Sequence, residues 1–330
     1  MSVAVLGGGS WGTTLANLLS KKGESTRLWV RNRALAGKMT EKRVNSTYLP
    51  GIELCRALQI TPDIEEALEG ADFFLVAVPS QFIRSVLEDH RELFPDQAAM
   101  ICASKGVELE TLKPMSHVIR EALGPKQARY ACLSGPSFAD EVSRELPTAV
   151  SLGCEDRVLA HTLRDLFSTE YFRVYTSPDF RGVELGGAVK NIMAIAAGIS
   201  DGLGFGHDAR AALITRGLAE MSRLGRALGA QERTFMGLSG MGDLVLTCTG
   251  DLSRNRQVGL KLGQGQRLQK ILEDMHMVAE GVKTTRAVYE LGLEYDIELP
   301  ITQQVHAMLY EDKNPREAVQ ELMGRALKDE

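Results

Sequence analysis

Short apolar runs alternate with helical periods through the first half of the chain. Val3, Ala4, Val5 and Leu6 form one run, followed by glycines and then by Leu15, Leu18 and Leu19 at helical spacing. Gly23 ends that helix, and residues 27–30 (RLWV) begin a second run. Further runs lie at 72–78 (DFFLVAV), 98–103 (AAMICA), 130–133 and 148–152, with helical segments such as 64–68 and 83–93 between them. Runs that are apolar on both faces and separated by helices predict a parallel, doubly wound sheet. Beyond about Pro178 the strand-like runs stop. Residues 209–228 carry Leu213, Leu218, Met221 and Leu224 at helical spacing, and Pro300 and Pro315 each open another helix. The pattern predicts an α/β domain over residues 1–180 and an all-helical domain over 181–330.

One helix breaks the polarity rule. Residues 183–198 (VELGGAVKNIMAIAAG) are almost all apolar or small, yet Lys190 and Asn191 sit in the middle. The helical neighbours of Lys190 are Gly186, Gly187, Met193 and Ala194, and none of them is charged. A helix apolar all round is normally buried. Its lysine then snorkels to an edge, pairs with a buried carboxylate, or faces a polar cavity and acts on a ligand. Gly186 and Gly187 are costly in a helix interior and read as kept for space, so that another backbone, or a ligand reaching the lysine, can approach closely.

Composition narrows the class. The chain has 330 residues, 44% hydrophobic and 25% charged, and a net charge of -5. That balance suits two packed domains and carries no basic excess for nucleic acid or an anionic membrane. Five scattered cysteines without C-x-x-C spacing point to a reducing compartment and to no structural metal. Met1 leads straight into strand-like sequence, and the most apolar stretch is short and glycine-flanked. The expectation is a cytoplasmic protein without a membrane span.

The glycines after the first run are the clearest chemical signal. Gly7-Gly8-Gly9-Ser10-Trp11-Gly12 matches G-x-G-x-x-G between a strand and a helix, with a second strand beyond. In that context Gly7 makes the turn, Gly9 admits a pyrophosphate, and Gly12 lets helix and strand pack. This predicts a Rossmann-type nucleotide-binding domain. Arg31 and Arg33 follow the second strand where an acid would favour NAD, so NADPH is the expected cofactor, with NADH the alternative. Lys105 in Ser104-Lys105-Gly106 and Ser137 in Ser134-Gly135-Pro136-Ser137-Phe138-Ala139 follow two other strand ends, where ligands of such sheets sit. Ser137 also reads as the N-cap of the next helix. Further on, Gly240-Met241-Gly242-Asp243 is a glycine turn presenting one carboxylate. Ser253-Arg254-Asn255-Arg256 reads as a helix entrance with fixed positive charge, a ready phosphate site.

Taken together, GGGSWGTTLA, SKG, SGPSFA, GGAVKNIMAIAAGISDG, SGMGDLVLTCTG, SRNR and VAEG resemble bacterial NAD(P)-dependent glycerol-3-phosphate dehydrogenase over nearly the whole chain. The resemblance implies reduction of dihydroxyacetone phosphate to sn-glycerol 3-phosphate, the phospholipid backbone precursor, by a homodimer. It implies that Lys190 is catalytic and that Lys105, Gly135, Ser137, Lys190, Asp243, Ser253, Arg254 and Asn255 meet the substrate. It assigns Ser10, Trp11, Arg31, Lys105, Ala139, Arg254, Val278 and Glu280 to the cofactor, beside Gly7, Gly9 and Gly12. Two other readings stay in view. A β-hydroxyacid dehydrogenase of the 6-phosphogluconate type places its asparagine a full helical turn after the lysine, whereas Lys190 and Asn191 are adjacent. A non-catalytic NADPH sensor needs the glycine turn but none of Lys190, Asp243 and the SRN segment.

Overall fold

The structure is a computed structural model that describes residues 1–275 and 279–326. It divides into two compact units, Met1–Lys105 with Lys113–Glu184, and Gly106–Leu112 with the chain from Leu185 onward.

The first unit is built on ten strands: β1 (Ser2–Leu6), β2 (Ser25–Trp29), β3 (Val44–Asn45), β4 (Leu49–Glu53), β5 (Gln59–Thr61), β6 (Phe73–Val76), β7 (Ala99–Cys102), β8 (Arg129–Ser134), β9 (Thr148–Cys154) and β10 (Phe172–Ser177). Eight of them form one sheet in the order β10-β9-β8-β7-β6-β1-β2-β5, and β3 and β4 pair separately. Helices α1 (Ser10–Lys21), α2 (Arg33–Lys42), α3 (Ile64–Leu68), α4 (Ile83–Asp89), α5 (Met115–Leu123), α6 (Ala139–Ser143) and α7 (Arg157–Phe167) connect them. Alternation assigns the strand residues to two cores. Val3, Val5, Phe73, Leu75, Ala99 and Ile101 enter one cluster, and Ala4, Leu6, Phe74, Val76, Met100 and Cys102 enter the other. Both faces of the central strands are therefore dry, which is why their sequences read as unbroken apolar runs.

The sheet departs from the expected parallel arrangement at one edge. β1, β2 and β5 to β8 run parallel, but β9 is antiparallel to β8, with Ser134 opposite Ser151 and Ala131 opposite Cys154. β10 then runs parallel to β9. The cause is the connection. A parallel return needs a crossover able to run back along the strand, and the five-residue α6 covers only about 8 Å at 1.5 Å per residue. The chain therefore re-enters the sheet near the end it left.

The second unit is helical: α8 (Phe180–Gly202, shared with the first unit at its start), α9 (His207–Ala227), α10 (Glu232–Phe235), α11 (Asp243–Thr249), α12 (Arg254–Gly263), α13 (Leu268–Glu273), α14 (Glu280–Glu294), α15 (Pro300–Tyr310) and α16 (Pro315–Met323). Among the described residues α8 alone is long and apolar enough to cross a membrane, yet its apolar window is wholly buried, as befits a core helix.

Each unit contains a buried glutamate that caps another helix. Glu184 Oε1 accepts from the Ser116 N–H at 2.7 Å and from the Tyr130 hydroxyl at 2.9 Å, at the start of α5. In the second unit Glu220, on α9 and 2% exposed, accepts from the backbone N–H groups of Ile301 and Thr302 and from the Thr302 hydroxyl. These are the orphan donors of α15, whose start is otherwise uncapped. Burial raises both carboxyls, Glu220 from 4.5 to about 7, because desolvation outweighs the hydrogen bonds that favour the anion. The folded state thus holds a proton that the unfolded chain releases above about pH 4.5. Stability from this group is full below that pH and declines as pH rises through about 7, by up to about 1.4 kcal/mol per unit. Glu220→Gln cannot ionise. Its melting temperature relative to the parent should rise between about pH 5 and about pH 8; a difference independent of pH would contradict this account.

Candidate active site

In the first unit the glycine turn joins β1 to α1. Gly7 has φ +123°, and a Cβ on it would lie 2.7 Å from the Ala77 carbonyl oxygen; a Cβ on Gly12 would lie 2.0 Å from the Gly7 oxygen. Strand, turn and helix could not close with larger residues at either position. Gly9 differs, because a Cβ there would meet no atom of the described residues within 4 Å. The protein's own packing leaves that side of the turn open, where a pyrophosphate would need to approach. Gly9 is also the N-cap of α1 and supplies no side-chain cap, so the helix start at Ser10 and Trp11 keeps N–H groups for an anion. The Trp11 indole N–H is buried with no hydrogen-bond partner among the described residues. The sheet order reverses between β1 and β6, placing this turn at the switch point. These features fit a dinucleotide.

At the end of β2, Asn32 caps α2 by accepting from the Leu35 N–H at 3.0 Å, and Arg31 and Arg33 are exposed. The Arg31 guanidinium lies 5.9 Å from the ring centroid of Phe82, itself 44% exposed after β6. Sequence reading did not single out Phe82; an exposed aromatic just past a strand end was the available signal.

Two polar side chains converge on one carbonyl beyond β8. Lys105 Nζ and the Ser137 hydroxyl each donate to the Gly135 oxygen at 3.3 Å. Gly135 has φ +152°, and a Cβ on it would press against Val150. Ser137 does not cap the next helix, contrary to the sequence expectation. α6 starts one residue later than that reading requires, with Phe138 at its N-cap, so Ser137 turns back into the loop. Ala139 opens α6, and its carbonyl accepts from Thr14 of α1 at 3.2 Å.

In the second unit Lys190 is 7% exposed and Asp243 is 1% exposed. Lys190 Nζ donates to Asp243 Oδ1 and to the Thr247 hydroxyl, both at 2.6 Å. Thr247 in turn donates to the Asp243 carbonyl one turn back along α11. Asp243 follows a π-helical turn, Leu238–Gly242, where the sequence suggested a tight glycine turn. That turn explains Gly186. A Cβ on Gly186 would sit 2.6 Å from the Ser239 oxygen, so the space was kept for the protein's own backbone rather than for a ligand. Thr247 went unnoticed in the sequence, although it lies four residues from Asp243 on the same helix face. The neighbouring Cys248 thiol is pushed up to about 12 by burial, so it offers no thiolate.

Ser253 is the N-cap of α12, accepting from the Arg256 N–H at 3.2 Å, and Arg254 is exposed at the first helical position. Asn255 is a joint. Its amide donates to Asn191 Oδ1 at 2.9 Å and accepts from the Gly281 N–H at 3.0 Å, beside Glu280 at the start of α14. Asn191 therefore ties the lysine's helix to the SRN segment. Arg256 does not add to the exposed charge of that segment; it is 9% exposed and bound to Asp201 and Asp251. Val278 lies outside the described residues.

Comparison with known proteins bears on both units. The family described as NAD-dependent glycerol-3-phosphate dehydrogenase N-terminus matches residues 2–160, and its C-terminus counterpart matches residues 179–320. The chain is 61% identical over 330 residues, all of both chains, to a protein of Maridesulfovibrio salexigens named glycerol-3-phosphate dehydrogenase [NAD(P)+]. A protein of the same name from Geobacter sulfurreducens is 56% identical over 329 residues, 99% of this chain and 98% of that one. The crystal structure of glycerol-3-phosphate dehydrogenase from Coxiella burnetii superposes with a TM-score of 0.95 at 42% identity, covering 98% of this chain and 99% of that one. With an open glycine turn in one unit, a buried lysine–aspartate pair in the other and matches across nearly all of both, the chain belongs to the NAD-dependent glycerol-3-phosphate dehydrogenase family.

Proposed function

We propose that the protein reduces dihydroxyacetone phosphate to sn-glycerol 3-phosphate reversibly, with Lys190 as the proton donor. The observation that carries this reading is the Lys190–Asp243–Thr247 constellation, an ammonium group held by a carboxylate and a hydroxyl inside an otherwise apolar helix packing. The reduced nicotinamide, when bound, supplies a hydride to the carbonyl carbon. Lys190 gives its proton to the carbonyl oxygen as negative charge develops there, and Asp243 and Thr247 fix the direction of its N–H groups. In the reverse direction neutral Lys190 takes the proton from the substrate hydroxyl. Lys105, Gly135 and Ser137 help to orient the triose.

The phosphate is gripped by the start of α12. Ser253 caps the helix, Arg254 supplies an exposed guanidinium, and the backbone N–H groups of Arg254 and Asn255 and the helix dipole favour an anion. Asn255 contributes mainly through its backbone, since its side chain braces Asn191 and Gly281. Binding energy collected at the phosphate positions the carbonyl for reduction. The cofactor is held by Gly7, Gly9, Ser10, Trp11, Gly12, Arg31, Lys105, Ala139, Arg254 and Glu280. Arg31 favours NADPH over NADH, because its guanidinium can pair with a ribose phosphate. The product serves as the phospholipid backbone, and the working form is a cytoplasmic homodimer.

Oxidation of NADPH on addition of dihydroxyacetone phosphate, but not of a β-hydroxyacid's keto form, tests the reaction against its alternatives. Lys190→Met should lower turnover per folded molecule by about a hundredfold or more while NADPH binding persists; near-normal turnover would remove Lys190 from the chemistry. Arg254→Ala should raise KM for dihydroxyacetone phosphate about tenfold or more, the worth of one charge-assisted hydrogen bond, and an unchanged KM would refute the grip. Arg31→Ala should lower the NADPH:NADH ratio of kcat/KM about tenfold. A constant ratio would show that the cofactor's extra phosphate is read elsewhere.

A further inference from the structure

α8 and α12 touch backbone to backbone. On α8, a Cβ on Gly198 would lie 2.0 Å from the Arg256 oxygen, and one on Gly202 would lie 2.4 Å from the Leu260 oxygen. On α12, a Cβ on Gly259 would lie 2.0 Å from the Ile195 oxygen, and one on Gly263 would lie 2.5 Å from the Ile199 oxygen. Both helices thus present glycines four residues apart, one turn of small surface against another, which lets the backbones approach closely. Such a face is smooth. It sets the separation of the helices but offers no interlocking side chains to stop one sliding along the other.

The register is supplied by the Asn255–Asn191 hydrogen bond near Lys190 and, beside the glycine contact, by an ion pair. Arg256, the third residue of α12, donates Nε to Asp201 Oδ2 at 2.9 Å, and its Nη2 lies 2.7 Å from the same oxygen. Asp201 stands at the end of α8, and its other oxygen accepts from Arg210 Nε of α9 at 2.9 Å. The side chains of Asp201 and Arg256 are 7% and 11% exposed, so water competes little for them. Asp251 also meets Arg256 but is 92% exposed and contributes less. The planar fork of Arg256 is what allows one side chain to meet these partners together.

We propose that Arg256 is a positioning residue: pinned to Asp201, it holds the start of α12 at a fixed separation from Lys190 on α8, so that the phosphate and the carbonyl of one triose phosphate are engaged together. The proposal rests on the reading of Ser253, Arg254 and Asn255 as the phosphate grip. Arg256 is not itself a ligand. Its charge is spent on Asp201, and it acts by fixing the span between two contacts that Lys190 and the grip each make on their own.

Asp201→Asn and Arg256→Lys break the pair from opposite sides without emptying either position. The readouts are kcat/KM for dihydroxyacetone phosphate, the inhibition constant of inorganic phosphate, the NADPH dissociation constant and the melting temperature. A loosened span should lower kcat/KM about tenfold or more in both variants, while inorganic phosphate, which needs only the grip, inhibits as before. Two results would overturn the proposal. Unchanged kcat/KM in folded protein would leave the pair a brace of the fold, whatever the melting temperature. Weakened phosphate inhibition in either variant would mean that the pair forms part of the grip itself. Should Asp201→Asn fail to fold, Arg256→Lys alone decides between these outcomes. Arg254→Ala tests the underlying reading separately: if it leaves phosphate inhibition intact, the grip lies elsewhere and the positioning proposal falls with it.

Discussion

A charged amine in a helix packed by apolar neighbours is tenable only with a partner, and the second unit is arranged around supplying one. Lys190 carries its ammonium to within 2.6 Å of Asp243 Oδ1, where both groups are almost fully buried. Taking two such ions out of water costs several kcal/mol each, and removing one partner typically costs about 3–5 kcal/mol. A pair of that kind is poor evidence of selection for stability. Its cost is understandable if the buried ammonium is what the chemistry uses. The surroundings serve the pair: Thr247 takes another lysine N–H, the π-helical turn aims Asp243, and Gly186 admits that turn against α8.

The remaining contacts divide between anion binding and bracing. Two helix starts, α1 after the glycine turn and α12 after Ser253, present N–H groups at positions where phosphates of cofactor and substrate are proposed to bind. Around the second start the polar side chains are largely committed within the protein. Asn255 joins α8, α12 and α14, and Arg256 joins α12 to α8. Rigid supports of this sort hold a site to the geometry a reaction needs, at positions that need not touch the substrate.

Much of this was legible in the chain itself. The central strands are buried on both faces, so their apolar runs marked them with little ambiguity, and the glycine turn was recognisable by its place between strand and helix. Lys190 was visible because its whole helical stripe lacked charge. What could not be read depended on tertiary partners. The reversal at β9 follows from the length of a connection, and β10 and the short β5 carry too weak a pattern to announce themselves. Gly186 looked like room for a backbone or a ligand, and only the position of Ser239 decides for the backbone. Ser137 looked like a cap until α6 began one residue late. Arg256 looked like a second phosphate charge until Asp201, 55 residues away, claimed it.

Asp243 compensates the Lys190 ammonium that is proposed to donate the proton. The pH dependence of kcat/KM for dihydroxyacetone phosphate reduction, measured in the parent protein and in Asp243→Asn, tests this directly. Loss of the carboxylate makes the buried ammonium easier to deprotonate, so the alkaline limb of the profile should move to lower pH along with a fall in rate. An alkaline limb that stays in place while Asp243→Asn still turns over would contradict the account.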